Sequence, residues 1–316
     1  MDNLLLRAHT AADIDSQVHK ILRGLGHPEP PLDLLAVREL LQLDRQYYSS
    51  TDDDWLKEKV SRLKVAGKQV LHRPALLIDA VRKLDLKALY LPDQRRILLD
   101  QDLPAKKHRW SEAHEITHSI IPWHSEMMLG DNAQTLTPQC HAQIEAEANF
   151  GAGRLLFLGE RFAETALSLS PGLTAIRKLQ KHFGNTLTTT LWRYVEQVFT
   201  DRAVVGVISS HPRRRTQGFD PERPCRYCIG SPLFQRDFSH VIPAKLWQVI
   251  SSYCGAQRGG RLGEDVVVLV DDLGVKHKFH FETFFNGYEA LTLGLHLGLQ
   301  ASLVAVDDNS GLRAGF

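Results

Sequence analysis

His114-Glu-Ile-Thr-His118-Ser-Ile-Ile-Pro-Trp-His124 sets two histidines four residues apart, a glutamate directly after the first, and a third histidine six residues beyond the second. Pro104 and Pro122 bracket the run, which predicts one helix through Trp110 and the HEITH segment. On an α-helix, residues four apart lie about 40° from each other and one turn apart along the axis. Two imidazoles so placed reach a single metal ion with little backbone adjustment. Glu115 then projects to the side of the pair, where it can take a proton from a water rather than bind the ion. This is the pattern of zinc-dependent peptide hydrolysis, in which the ion acidifies a water and polarises a carbonyl. Five residues alone are weak evidence, because a surface helix with two ordinary histidines also satisfies them.

The third ligand has two candidates. His124 has metzincin spacing, but Ile121 stands where that pattern puts a glycine to turn the chain sharply. A β-branched residue is poor at positive φ, and a residue before proline is biased toward extended backbone. The methionine turn of that pattern is missing too, since the methionines are Met1, Met127 and Met128. The other candidate is Glu145, on the helix that Thr137-Pro138 opens and that is expected to run to about Phe157. Ala148 and Ala152 share its face, so this helix can press close to HEITH and bring a carboxylate within reach. Two neutral imidazoles and one carboxylate would leave a zinc site at net +1, preserving its Lewis acidity. Glu147 is the nearest rival, but it points about 200° away around the helix. Glu145 is therefore favoured, and His124 becomes a loop residue near the cleft.

Farther out, residues 11–25 and 32–43 carry helical apolar periodicity around the breaker Gly26-His-Pro-Glu-Pro-Pro31, and residues 55–64 read as a charged helix. Ala88-Leu-Tyr-Leu91 and Arg96-Ile-Leu-Leu-Asp100 form a predicted β-hairpin across Pro92-Asp93-Gln94. Residues 96–99 are the candidate edge strand for an extended substrate. Residues 125–136 read as loop. Two helices around Gly184-Asn185 have helix-turn-helix proportions, with a packed helical hairpin as the plain alternative. From Ala203 the texture turns to short strands with one helix carrying Leu246, Val249, Ile250 and Tyr253 on a single face, and no chemistry motif is evident there.

Taken together, Arg109-Trp-Ser-Glu-Ala-His114-Glu-Ile-Thr-His118, Glu145-Ala-Glu-Ala148-Asn149 and Leu155-Leu156 resemble the ImmA/IrrE family of metallo-endopeptidases. The strand ending Arg95-Arg96-Ile97-Leu98-Leu99 also looks like the one that family places before its active-site helix. The resemblance spans roughly residues 10–200. It departs at Gly151, where the family usually has Phe, and at Phe157-Leu158, where the paired leucines usually continue as Met-Pro. It implies His114, His118 and Glu145 as ligands of one catalytic Zn2+, with Glu115 as general base. It further implies a narrow-specificity endopeptidase that cleaves a helix-turn-helix repressor and so relieves repression in stress or mobile-element induction. The expected fold class is α+β: a zincin-like metallopeptidase domain at 1–160, a helical, helix-turn-helix-like segment at 161–202, and a C-terminal α+β domain at 203–316 that is sensory or partner-binding.

Composition sets the frame. The chain has 316 residues, 43% apolar and 24% charged, and a net charge of +1, so no global field draws it to nucleic acid or membrane. The N-terminus lacks a signal-peptide core, and the apolar stretch 290–306 is broken by Thr292, His296, Gln300 and Ser302, so a cytoplasmic, membrane-free protein is expected. Four cysteines do not make a disulfide framework. Cys225-Arg-Tyr-Cys228 would be half of a structural zinc site if Cys254 and His211 or His240 completed it; two plain thiols is the simpler account. The basic run His211-Pro-Arg213-Arg214-Arg215 allows at most a weak nucleic-acid contact through residues 170–215. Two other functions therefore compete: a DNA-associated regulator that retains the protease fold, and a zinc aminopeptidase-type hydrolase.

Overall fold

Apolar residues spaced three and four apart build the first helices. In α1 (Ala8–Gly24), Ile14, Val18, Ile21 and Leu22 make one buried stripe. Asp33 caps α2 (Leu34–Leu41) by accepting from the Leu35 N–H at 2.8 Å. The computed structural model describes residues 6–48, 88–91, 95–101, 103–124, 138–215, 220 and 222–300. The expected helix at 55–64, the turn at 92–94, the loop at 125–136 and the Thr137 cap lie outside these residues. The chain divides into two compact units, Met1–Tyr194 and Val195–Phe316. Residues 161–194, expected as part of a separate middle segment, fall within the first unit.

In the first unit, β1 (Asp44–Tyr48), β2 (Ala88–Leu91) and β3 (Arg96–Asp100) form a sheet in the order β1-β3-β2. The hairpin pairing is antiparallel, with Ala88 opposite Leu99, while β1 runs parallel to β3 with Asp44 opposite Arg96. An Arg96–Asp44 ion pair at 2.8 Å marks that register. The strand at 96–99 is thus interior rather than an edge, and Ile97, Leu98 and Leu99 are buried. Its second neighbour comes from 52 residues upstream, a pairing that local alternation cannot reveal. The outer strands among the described residues are β1 and β2.

Helix α3 (Ala105–Ile120) carries HEITH and packs on the sheet and on α4 (Pro138–Leu156), which also meets α1. Glu112 anchors the first half of α3, taking Arg38 at 2.6 Å and Arg45 at 2.9 Å. The α3–α4 contact is close because its residues are small. Ala148 and Ala152 are fully buried, and a Cβ on Gly151 would lie 2.4 Å from Thr117 Cγ2 and 3.0 Å from Ile14 Cγ2. Helices α5 (Arg161–Leu167) and α6 (Leu173–Phe183) pack through Phe157, Phe162 and Phe183, whose rings meet edge-to-face or tilted.

Helix α7 (Leu187–Gln197) sends the buried Arg193 into α4. Its Nη2 donates to the carbonyls of Asn149 (3.1 Å) and Phe150 (3.0 Å), over Gly153, where a Cβ would sit 1.8 Å from the guanidinium. No residue from Leu187 to Tyr194 is exposed. Leu187, Thr188, Thr189 and Trp192 are half-buried, while Thr190, Leu191, Arg193 and Tyr194 are buried.

The second unit is a five-stranded antiparallel sheet in the order β5-β4-β8-β7-β6, made of β4 (Val204–Ser209), β5 (Cys225–Gly230), β6 (Gly260–Val270), β7 (Lys276–Phe285) and β8 (Ala290–Leu299). Helices α8 (Pro232–Asp237) and α9 (Pro243–Tyr253), with Phe238 just after α8, supply Phe234, Phe238, Leu246 and Ile250 to a core shared with Val205, Val207, Phe279 and Phe281. With helices and an antiparallel sheet, the chain is α+β. In the basic run Arg213, Arg214 and Arg215 are exposed; Arg213 Nε and Arg214 Nη1 each donate at 3.2 Å, to the carbonyls of Cys254 and Ala256, and His211 Nε2 lies 2.8 Å from that of Gln257. Cys225 and Cys228 hydrogen-bond each other beside the core, which raises the first thiol's pKa and lowers the second's. Among the described residues they do not converge with Cys254, His211 or His240 as metal ligands. No helix among the described residues is long and apolar enough to cross a membrane.

Candidate metal centre

Helix α3 brings His114 and His118 onto one face, and α4 lays Glu145 across them. The ligand atoms converge: His114 Nε2 lies 3.1 Å from His118 Nε2 and 3.2 Å from Glu145 Oε2, and His118 Nε2 lies 3.6 Å from Glu145 Oε1. Among the described residues this is the one group of three or more His, Cys, Asp or Glu side chains placed to hold a metal ion. A tetrahedral zinc with bonds of about 2.0–2.1 Å puts its ligand atoms about 3.3–3.4 Å apart, so the triangle has the right edge lengths. Exposure is graded, from 4% for His118 and 13% for His114 to 40% for Glu145, which leaves one open side.

Tautomers support the same fit. His114 Nδ1 lies 3.1 Å from Asn149 Oδ1, so its Nδ1–H donates to the amide oxygen and its Nε2 presents a lone pair. That lone pair faces a second imidazole nitrogen and a carboxylate oxygen. Such a cluster calls for a proton or a cation. Burial opposes a charged His114, but Glu145 and Glu115 outweigh it and raise its pKa.

Glu115 sits one residue along from His114 and is not among the converging atoms. It is 5% exposed, and burial is the main cause that pushes its carboxyl up to about 7, with Glu145 adding to the shift. His114 and a hydrogen bond from the Tyr90 backbone on β2 work in the other direction. A carboxyl poised near neutrality can both accept and release a proton at physiological pH.

His124 is not at the cleft. It is fully buried, with its Nδ1 3.0 Å from His118 Nδ1 and its Nε2 3.0 Å from Glu147 Oε2. Residues 122–124 form a helical turn after Ile121, which sets a residue expected in a loop against His118 and Glu147. Trp123 Nε1 also reaches Glu147 Oε2 at 2.6 Å, and Gln143 Nε2 reaches Oε1 at 3.0 Å. These hydrogen bonds overcome burial and hold the Glu147 carboxyl below its usual range. Helical spacing placed Glu147 away from Glu145 and gave no sign of this second set of contacts. Asn149 stood in the Glu-x-x-Ala-Asn pattern without an assigned task.

No protein-family model matches the chain, and no curated protein does. A solved structure described as "Mycobacterium tuberculosis transcriptional regulator" is similar to it, with a TM-score of 0.50 and 13% identity over 90% of this chain and 88% of that one. At that identity the likeness is one of fold, and it extends across both units.

Proposed function

We propose that this chain is a zinc-dependent endopeptidase of narrow specificity, zincin-like and of the ImmA/IrrE type, acting on a helix-turn-helix repressor. The observation that carries the proposal is the meeting of His114, His118 and Glu145 at 3.1–3.6 Å beside a buried glutamate. Those three would hold the ion. Zinc supplies Lewis acidity there, lowering the pKa of a water and polarising the scissile carbonyl. Glu115, buried beside the three ligands, would take the proton from the attacking water and hand it to the leaving amine nitrogen. Since β3 is interior, the strand offered to an extended substrate is β2, whose Tyr90 N–H already points at Glu115.

A second reading, a regulator that keeps this fold without cleaving, takes its support from the name of the similar structure. Against it stands the convergence of His114, His118 and Glu145, which a regulator that does not cleave would not need. An aminopeptidase-type hydrolase is a third.

Co-expression with a candidate helix-turn-helix repressor, with and without Glu115→Gln, separates them. The proposal expects cleavage by the wild type, a loss of about 10²–10⁴-fold in the variant, and one zinc per chain in both. Salt-dependent DNA binding that survives the substitution, with no cleavage, would favour the regulator. Activity on short peptides alone would favour the aminopeptidase.

A further inference from the structure

Glu147 and His124 are buried polar groups with no part in the chemistry above, yet with His124 neutral their hydrogen bonds admit one arrangement of protons. Glu147 Oε2 already accepts from the Trp123 indole and Oε1 from the Gln143 amide. As an acceptor on both oxygens, it requires His124 Nε2, 3.0 Å away, to carry the donating hydrogen. A neutral His124 then has its lone pair on Nδ1, which faces His118 Nδ1 at 3.0 Å. Two lone pairs do not make that contact, so the hydrogen between the rings belongs to His118. In a neutral His118 the Nε2 then carries no hydrogen, and it lies 3.1 Å from His114 Nε2 and 3.6 Å from Glu145.

We propose that Glu147 and His124 are positioning residues that fix His118 as the Nδ1–H tautomer and hold its ring, so that Nε2 is a ready ligand before any metal arrives. The proposal rests on the metallopeptidase reading in that it takes His118 for a ligand. It gives α4 two tasks: Glu145 faces the ion, and two residues on Glu147 sets the order of hydrogens behind it. Asn149 does for His114, by a direct amide contact, what Glu147 does for His118 through an intervening ring. A side chain at 124 that is apolar would leave His118 free to rotate or to place its hydrogen on Nε2. Glutamine at 124 can keep the order, accepting from His118 with its oxygen and donating to Glu147 with its nitrogen. Glutamine at 147 can reverse it, since an amide can donate to His124.

The test measures zinc affinity of the full-length metal-free protein by competition with a chromogenic chelator, with thermal unfolding as the check on folding. His124→Phe and Glu147→Gln should bind zinc roughly 10–100-fold more weakly than the wild type, and His124→Gln should recover most of the loss. Equal affinity in all four proteins, or no recovery with glutamine, would overturn the proposal. Long-range ¹H–¹⁵N NMR of the histidines in the metal-free wild type reads the hydrogens directly, and so decides the matter even if His124→Phe does not fold. His118 as Nδ1–H and His124 as Nε2–H is the expected result; the opposite order sinks the proposal. A wild type with the expected tautomers that takes up no zinc would instead sink the metallopeptidase reading alone.

Discussion

Each unit contains a carboxylate–histidine–histidine chain. In the first, Glu147, His124 and His118 are joined by contacts of 3.0 Å each; in the second, Asp271, His277 and His296 are joined by the same distances. The first is deeply buried, with His118 and Glu147 side chains 4% exposed, and its last nitrogen meets His114 and Glu145. The second lies nearer the surface, with His277 15% and Asp271 11% exposed, and its terminal His296 bonds the backbone of Gly298. The pattern of residues is the same, and what differs is where the last imidazole points. Convergence of lone pairs, rather than a count of histidines and acids, is what gives the first unit its candidate site.

That contrast can be broken by experiment. His118→Ala should weaken zinc binding on the order of 10²–10³-fold, since it removes one of three ligands, whereas His277→Ala should retain one zinc per chain after dialysis; comparable losses in both, measured by elemental analysis, would erase the distinction. A paired glycine test comes next. Gly151→Ala puts a methyl against Thr117 and should destabilise the protein by about 1–3 kcal/mol while also weakening zinc binding, because α4 carries Glu145. Gly294→Ala meets Phe281 and Val205 at 2.8 Å and should cost stability with zinc affinity untouched.

The subtlest difference lies in pH dependence, and the two units should show opposite signs. In the metal-free protein Glu115 keeps its proton to about pH 7, while the unfolded chain releases it near 4.5. Its contribution is therefore full below pH 4.5 and lost as pH rises to about 7, a change of about 3 kcal/mol that Glu115→Gln should abolish. In the second unit, hydrogen bonds from His240 and Ser239 hold the Asp272 carboxyl down to about 2 against an ordinary 3.8. Its contribution is present above 3.8 and lost as pH falls toward 2, and Asp272→Asn should remove it. Chemical unfolding across pH reads both slopes, and a Glu115→Gln profile parallel to the wild type would contradict the assigned burial effect.

What the sequence disclosed was what depends on neighbours along the chain. The His114–His118 pair follows from helical spacing, and Glu145 from the alanines that share its face. Gly151, which departs from the family pattern, turns out to extend that small-residue face against Thr117. The strand pairing of β2 with β3 was legible because a hairpin is local; the position of β3 was not, because β1 is supplied from far upstream. His124 escaped in the same way. Its environment is made by Glu147, 23 residues on, a contact that no periodicity encodes.

Arg193 shows how far the site reaches along the chain. Helix α4 is gripped from two sides, with Thr117 set against Gly151 and a guanidinium lying over Gly153 on two backbone carbonyls. One of those carbonyls belongs to Asn149, whose side chain orients His114. Rolling α4 would therefore tear out a cation anchored 44 positions downstream of the residue it holds. A proteolytic fragment ending at residue 160 would keep every candidate ligand yet lose the clamp that sets their register, and the smallest piece of this chain that carries the site as a rigid part runs to Tyr194.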